Sequence, residues 1–174
     1  MVVPGGPGEP GRTATPGELL PGGSTEPQAA DVRFAEGMIP HHRQALEMAG
    51  LVASRSTSRD IRIFADNILL TQQQEITVMA GWLARLGRAA PGGHADHPAY
   101  GMASLEEMNR LRAARGATFD RLFLELMIRH HQGAMAMAAE QLAGGRDLLM
   151  RLIAKDVHVG QGIEMSRMRL LLSK

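Results

Sequence analysis

Two stretches of the chain resemble each other closely: DVRFAEGMIPHHRQALEMA at residues 31–49 and DRLFLELMIRHHQGAMAMA at residues 120–138. Ten of the nineteen aligned positions are identical, and the two stretches are offset by 89 residues. The same offset continues without a gap, for example from Glu75 to Glu164, so the repeating unit covers about 53 residues. A long repeat of this kind indicates an architecture built from a duplicated unit.

Within each unit, apolar residues recur at steps of three and four, which is the period of a helix with one buried face. In the first unit these positions are Phe34, Met38, Ala45, Met48 and Val52, then Ile61, Ala65, Ile68, Ile76, Met79 and Leu83 after a polar break. Each unit is therefore predicted to be a helical hairpin. Because one hairpin cannot bury its own apolar stripe, two are expected to pack together. The predicted fold is all-α, an antiparallel four-helix bundle made of two duplicated hairpins.

The predicted domain is a bundle at residues 31–174, preceded by a segment at residues 1–30 that has six Pro and seven Gly. Such a composition cannot sustain a helix, so this segment is predicted to be a disordered linker. The parts of the bundle are hairpin repeat 1 at 31–83, a loop plus a short helix from Ser104 at 84–119, and hairpin repeat 2 at 120–172.

Several side chains are candidates for capping the predicted helices. Asp31 and Asp120 could begin the leading helix of each hairpin, Ser58 or Asp60 could begin the second helix of the first hairpin, and Asp147 that of the second.

The composition excludes several classes of protein. Aromatic residues are only 3% of the chain and Met reaches 12, so the core is expected to contain Leu, Ile, Ala and Met, as helices do. Nineteen basic and eighteen acidic residues, with no long basic run, argue against nucleic acid as a partner. No apolar stretch approaches the roughly 18 residues of a membrane span, and none is predicted. The absence of Cys excludes disulfides and zinc-thiolate sites.

Polar residues fall on the buried faces of the predicted helices. At about 100° per residue, His41 lies in the middle of the apolar stripe, whereas His42 points about 100° away, so the two are expected to have different roles. Gln72 lies mid-stripe on the second helix, with Glu75 nearby. The second unit repeats this pattern with His130, His131, Gln161 and Glu164. Buried polar groups cost about 1 to 3 kcal/mol each unless something bonds to them.

Two interpretations satisfy these groups. In the first, His41 and His130 bond to Gln72, Glu75, Gln161 or Glu164 and form a metal-free polar layer. In the second, imidazole and thioether groups bind a soft metal ion, copper being the best match. The candidate ligands are Met38, His41, His42, Met48, Met127, His130, His131 and Met137. Binding would weaken as the pH falls through about 6.5, the pKa of a free imidazole.

Other histidines are weaker candidates. His94 and His97 lie in the loop between the hairpins, where a polar loop is usually just solvated, and His158 has no counterpart in the first unit, so it is assigned no role. A carboxylate-rich di-iron site needs Glu-x-x-His motifs, and the residues three places before the paired histidines are Met or Ile.

The doubled pattern D-x-x-F-x-x-x-M-I-x-H-H-x-x-A-x-x-M-A resembles the bacterial family called domain of unknown function 305, as does GMASLEEMNRLRAARGATFDRLFLELMIRHH at residues 101–131. The likeness covers about residues 31–172. It implies a ferritin-like four-helix bundle, typically exported, with some relatives linked to periplasmic copper binding. Pro40 departs from the second copy, which has Arg129, and could kink the first helix.

The resulting hypothesis is a secreted or extracytoplasmic protein that binds and sequesters copper through Met and His of its first and third long helices. The native signal or anchor is expected to be missing from this sequence. The alternative is a metal-free structural or partner-binding helical module with a buried His/Gln/Glu layer. No feature of the sequence requires an enzyme, and a metal ion is the expected partner.

Overall fold

The computed structural model describes residues 27–92 and 99–173, together with the secondary structure of residues 2–3 and 12–13. Two short strands, β1 (Val2–Val3) and β2 (Arg12–Thr13), pair in antiparallel fashion. The helices are α1 (Ala29–Gly50), α2 (Val52–Arg55), α3 (Arg59–Arg85), α4 (Leu105–Ala113), α5 (Gly116–Gly144) and α6 (Leu148–Leu172), with a 3₁₀ turn at Ala99–Gly101. The predicted all-α class is confirmed. Most of the predicted linker at residues 1–30 lies outside the described residues.

Most of the predicted capping side chains of the later helices occupy their expected places. Ser58 begins α3 by accepting a hydrogen bond from the backbone N–H of Ile61, and Asp147 begins α6 by accepting from that of Met150. Ser104 begins the short helix α4, as predicted. These side-chain acceptors satisfy backbone donors that a helix leaves unpaired at its start.

Asp31 is not the N-cap residue of α1, because that helix starts after Gln28; it lies fully buried in the first turn, where it completes a capping box by accepting a hydrogen bond from the Gln28 backbone N–H. Its carboxylate accepts hydrogen bonds from the Gln141 side chain and from the backbone N–H groups of Arg146 and Asp147. Burial raises the pKa of Asp31, but these bonds and one from the Gln28 backbone together lower it below its ordinary value. Asp31 therefore ties the start of α1 to the turn between α5 and α6.

Asp120 is not a cap either. Helix α5 begins at Gly116, and Asp120 lies within it, with one buried carboxylate oxygen that has no hydrogen-bond partner in the described part of the chain. The duplicated aspartates have thus diverged in role, although they occupy matching positions in the repeat.

Pro40 lies inside α1, which continues past it to Gly50. Proline cannot donate a backbone hydrogen bond, so the helix loses one bond in the turn that precedes His41. Pro40 is itself buried. The helix therefore continues past the missing hydrogen bond, with Pro40 packed in the protein interior.

The core consists of two apolar clusters. In one, the first half of α1 packs with the second halves of α3 and α5 and the first half of α6, around Met38, Met79 and Met150. In the other, the complementary halves pack around Phe119 and Phe123. The paired histidines fall between the two clusters along each helix. The fold thus places a polar layer between two apolar ones.

Candidate metal centre

The polar layer contains two matching histidine–glutamate pairs. The Nε2 atom of His42 on α1 lies 2.6 Å from Oε2 of Glu75 on α3. The Nε2 atom of His131 on α5 lies 2.7 Å from Oε2 of Glu164 on α6. Both histidines are completely buried, and each glutamate is about one-fifth exposed. Because the two pairs are related by the 89-residue offset, the duplication extends from the sequence to the contacts.

His41 and His130 lie against each other where α1 and α5 pack together. Their ring centroids are 3.6 Å apart and their planes are inclined by 34°. The ring of each lies 6.4 Å from that of the adjacent histidine, His42 or His131. The four imidazoles therefore form one row across the core, with one half of the row supplied by each repeat.

The main chain orients His41. Its Nε2 atom lies 3.0 Å from the carbonyl oxygen of Tyr100. A carbonyl can only accept a hydrogen bond, so Nε2 carries the proton and Nδ1 of the neutral ring has a free lone pair. In the two histidine–glutamate pairs the carboxylate likewise accepts from Nε2. Metal-binding histidines are usually held in this way, with one ring nitrogen donating to a carboxylate or carbonyl.

Several buried donors and acceptors of the layer make no hydrogen bond of ordinary geometry within residues 27–92 and 99–173. They are Nδ1 of His41, His42 and His131, both ring nitrogens of His130, and the side-chain amides of Gln72 and Gln161. Polar groups buried without partners are rare and costly, and an ion is one of the agents that can satisfy them. The donor set is therefore compatible with a bound soft cation.

Burial keeps the imidazoles of His41 and His130 neutral. It lowers the pKa of His41 to about 3, although the bond to the Tyr100 carbonyl opposes this shift. It also lowers the pKa of His130 well below 6.5, and the other three histidines add to the effect. Ligation needs a neutral imidazole. For His41 and His130, we therefore expect protons to compete with a metal ion at a pH lower than 6.5.

The segment that contains Tyr100 is held against both α1 and α5. The Gln44 side chain bonds to both the N–H and the carbonyl of Ala103. On the other side, a Cβ at Gly133 would overlap the Tyr100 carbonyl. Tyr100 has a φ of 57°, which side chains with a Cβ rarely adopt. This close fit holds the carbonyl next to His41.

A cavity of about 510 Å³ adjoins the histidine row. His41, Tyr100, Met102, Met137 and Glu140 are among its lining residues. The Tyr100 hydroxyl donates a hydrogen bond to Glu140 beside this cavity. The cavity brings two thioethers, from Met102 and Met137, into the same lining as one imidazole of the layer.

The four predicted methionines are buried, but they belong to different clusters. Met38 and Met137 lie in one, and Met48 and Met127 in the other. At about 1.5 Å of helix rise per residue, Met38 and Met127 are one turn from the histidines of their own helices, and Met48 and Met137 about two turns. The structure thus gathers the four histidines and distributes the methionines above and below them.

The structure differs from the sequence-based polar layer in its bonding. His41 and His130 were expected to bond to Gln or Glu side chains, but it is His42 and His131 that do so, within their own hairpins. His41 bonds instead to the Tyr100 carbonyl. A backbone acceptor from a loop carries no side-chain signal, although the close approach of this segment to α5 requires glycine at Gly133 and Gly101, where a Cβ would overlap the carbonyls of Tyr100 and Arg129.

The remaining histidines lie apart from the row or outside the described residues. His94 and His97 are among the residues that the structure does not describe. His158 is partly buried and its Nδ1 lies 3.4 Å from the Met135 carbonyl oxygen. Within residues 27–92 and 99–173, no group of three or more His, Asp or Glu side chains is placed to hold a metal ion.

An all-helical protein with a buried row of paired histidines is the class that this fold and site define. Residues 31–172 match the family described as Domain of unknown function (DUF305), and the chain belongs to that family. A crystal structure of a DUF305 fragment from Deinococcus radiodurans is 33% identical, with a TM-score of 0.78 over 84% of this chain and 97% of that one. A DUF305 protein from Streptomyces coelicolor that is proposed to be secreted is 30% identical, with a TM-score of 0.76 over 83% and 92%.

CopM, solved in a Cu(I)-bound form, is 28% identical to this chain, with a TM-score of 0.72 over 84% of this chain and 97% of CopM. CopM has also been solved with Cu(II) and with silver. Uncharacterized protein L153 of Acanthamoeba polyphaga mimivirus is 37% identical over 49 residues, which are 28% of this chain and 32% of that protein. The chain thus aligns with about a third of that relative.

Proposed function

We propose that this protein binds and sequesters copper, as Cu(I), at the row of histidines between its two apolar clusters. The observation that carries the proposal is the contact of His41 with His130, in which Nδ1 of His41 and both ring nitrogens of His130 make no hydrogen bond of ordinary geometry within the described residues. Neutral imidazoles and thioethers match the preference of a soft ion. The ion is cargo, and nothing in the donor set calls for catalysis.

The proposed frame for the site is a ferritin-like, antiparallel four-helix bundle of two duplicated hairpins, formed by residues 31–174. Contacts between α1 and α3 support opposite directions, because His42 meets Glu75 while the earlier residue Glu36 meets the later residue Arg88. Helices α1 and α5 also run in opposite directions, because His41 meets His130 while the earlier residue Asp31 meets the later residue Gln141. His41 and His130 can then meet near a pseudo-twofold axis.

The proposed ligands are the eight Met and His residues of the duplicated pattern, which form a central pair and a surrounding group. His41 and His130 form the centre, with Met38 and Met127 one turn away on either side. His42 and His131 hold the layer together through their glutamate partners and keep Nδ1 available. Met48 and Met137 are proposed to take part in transfer. The cavity lined by Met102 and Met137 gives the ion a route to His41.

An extracytoplasmic location fits this role. It is supported by the Streptomyces coelicolor relative that is proposed to be secreted. At such a location, a site with neutral imidazoles would retain Cu(I) in acidic surroundings as well as neutral ones.

The test is an anaerobic Cu(I) titration against a competing chelator, with the full chain and a His41→Leu, His130→Leu double variant. Leucine removes both donors while filling the apolar core, so the variant should fold, as circular dichroism and thermal melts would show. We expect its affinity for Cu(I) to fall by at least 100-fold. The matched control is His158→Leu, outside the row, which should bind like the parent.

Two results would contradict the proposal. If the parent chain cannot compete with the chelator, the histidine row is a metal-free polar layer, in line with the His42–Glu75 and His131–Glu164 bonds. If the double variant binds as tightly as the parent, the site lies elsewhere, and His94→Ala, His97→Ala would be the next variant to titrate.

A further inference from the structure

Helix α6 has an apolar stripe on its outer face. Leu152, Val159, Ile163 and Leu170 are each between 50% and 63% exposed. At about 100° per residue, Leu170 lies in line with Leu152, and Val159 and Ile163 fall only about 20° to either side. Along the axis, the stripe is about 27 Å long. Exposed apolar residues scattered singly are common, whereas four such residues aligned on one face of a helix are typical of an interaction surface.

The spacing of these four residues is symmetric, and exposed Leu148 at the start of α6, about 40° to one side of Leu152, lies outside the symmetric set. Successive members are seven, four and seven residues apart, so the stripe has the same pattern when the helix direction is reversed. Two copies of α6 that pack antiparallel would therefore place Leu152 opposite Leu170 and Val159 opposite Ile163 in both directions. A closed dimer with twofold symmetry requires such a self-complementary patch.

The first repeat does not have the complete stripe. On α3, Ile63 and Leu70 match Leu152 and Val159, and both are more than half exposed. The positions that match Ile163 and Leu170 are Gln74 and Gly81. The symmetric pattern is therefore a property of α6 alone, although both helices descend from one unit.

Charges along one side of the stripe fit the same arrangement. Asp156 and Arg167 are exposed and lie on that side, about 40° and 60° from Leu152. In the antiparallel pair, Asp156 of each copy comes level with Arg167 of the other to within about one residue of helix rise. Lys155 lies on the opposite side of the stripe and comes level with Arg167 of the other copy, which carries the same charge. Apolar contact must therefore supply most of the attraction.

We propose that the outer face of α6 is the surface through which a second copy of this chain binds, with the two helices antiparallel about a twofold axis near Gln161. The side chain of Gln161 is buried toward the histidine row, so the surface and the candidate metal centre occupy opposite sides of the helix. This proposal does not depend on copper binding.

Sedimentation velocity of the metal-free chain at increasing concentration tests the proposal. We expect a species of twice the 18.8 kDa chain mass. Val159→Gln, Ile163→Gln should weaken association at least tenfold, since exposed positions can be changed without unfolding the helix. The matched control is Ile63→Gln, Leu70→Gln on α3, which should associate like the parent.

A charge exchange tests the direction of pairing. Asp156→Arg should weaken association, and adding Arg167→Asp should restore it, because the exchanged pair is again complementary only in the antiparallel arrangement. A chain that stays monomeric at high concentration would overturn the proposal, and so would a monomer that instead sediments with phospholipid vesicles. Association without rescue by the double exchange would overturn the antiparallel geometry.

Discussion

At the scale of single residues, the candidate site depends on neighbouring histidines that differ in environment. His41 and His42 are adjacent in the chain, yet one contacts His130 and a main-chain carbonyl while the other bonds to a carboxylate. The helical angle between adjacent positions is about 100°, which sends the two rings to different neighbours. Two adjacent histidines can therefore have different proposed roles, with His41 as a central ligand and His42 as a residue that supports the polar layer.

The glutamate partners provide the first prediction at this scale. Glu75→Gln or Glu164→Gln replaces a charged acceptor with a neutral one, which makes the attached imidazole a poorer donor to a metal. We expect each variant to lose about 10- to 100-fold in Cu(I) affinity, by chelator competition. The exposed Glu106→Gln serves as control. Unchanged affinity in both variants would show that His42 and His131 take no part in binding.

A second prediction at the residue scale concerns acid stability without metal. The pKa of His41 is about 3 in the folded protein and about 6.5 when unfolded, so between these values the unfolded chain binds the extra proton. The free energy of unfolding should thus fall as the pH drops below 6.5, by about 1.4 kcal/mol per pH unit for each such histidine.

Urea unfolding of metal-free protein between pH 6.5 and 5 measures this slope. In the His41→Leu, His130→Leu variant the free energy of unfolding should depend less steeply on pH, because both histidines with lowered pKa values are gone. A variant with the slope of the parent would mean that these imidazoles titrate normally in the folded protein.

At the scale of elements, the segment at residues 99–103 breaks the symmetry of the duplication. It bonds to α1 through His41 and Gln44 and fits against α5 at Gly133. Gln44 and Gly133 occupy matching positions of the repeat. In the first repeat the Gln44 side chain bonds to the segment, whereas in the second repeat the absence of a side chain at Gly133 leaves room for it. This segment makes His41 and His130 chemically unequal.

Gly133→Ala tests the role of this close fit. The added methyl group would overlap the Tyr100 carbonyl, so we expect a loss of about 1 to 3 kcal/mol in the free energy of unfolding and a weaker hold on His41. Gly81→Ala, within α3 and with open space at its Cβ, is the control and should gain up to about 1 kcal/mol. Equal stability changes from chemical denaturation of both variants would contradict the packing described here.

At the scale of the whole molecule, the candidate centre joins the two repeats. His41 belongs to the first and His130 to the second, so an ion between them would link halves that otherwise meet through apolar packing and the Asp31 contacts. We expect saturation at one ion per chain, because the row is shared. Two independent and equal sites would contradict a shared centre.

An ion that binds only the folded chain should also increase its stability, and this increase can be measured. Free Cu(I) or Ag(I) at a hundred times Kd should raise the free energy of unfolding by about 2.7 kcal/mol. Thermal melts should show one transition that moves to higher temperature in the parent and does not move in His41→Leu, His130→Leu. A shift of equal size in the double variant would place the stabilising ion outside the histidine row.

The 3.6-residue period, the 89-residue repeat and the side chains that cap α3, α4 and α6 were sufficient to predict an all-α fold and the residues of the polar layer. These features are local, because helix formation and amphipathicity depend on neighbours within a few positions. The same patterns placed two helix starts a few residues too late, because α1 begins at Ala29 with Asp31 completing a capping box inside its first turn, and α5 begins at Gly116, before Asp120.

Only the tertiary structure decided which partner each histidine has. The contact of His41 with His130 joins positions 89 residues apart, and the carbonyl of Tyr100 reaches His41 from a loop whose path has no side-chain signature. The depressed pKa of His41 follows from burial that depends on every packed helix. Sequence determines periodicity and residue chemistry because both are local, whereas distances and solvation at a buried centre are set by how distant segments pack.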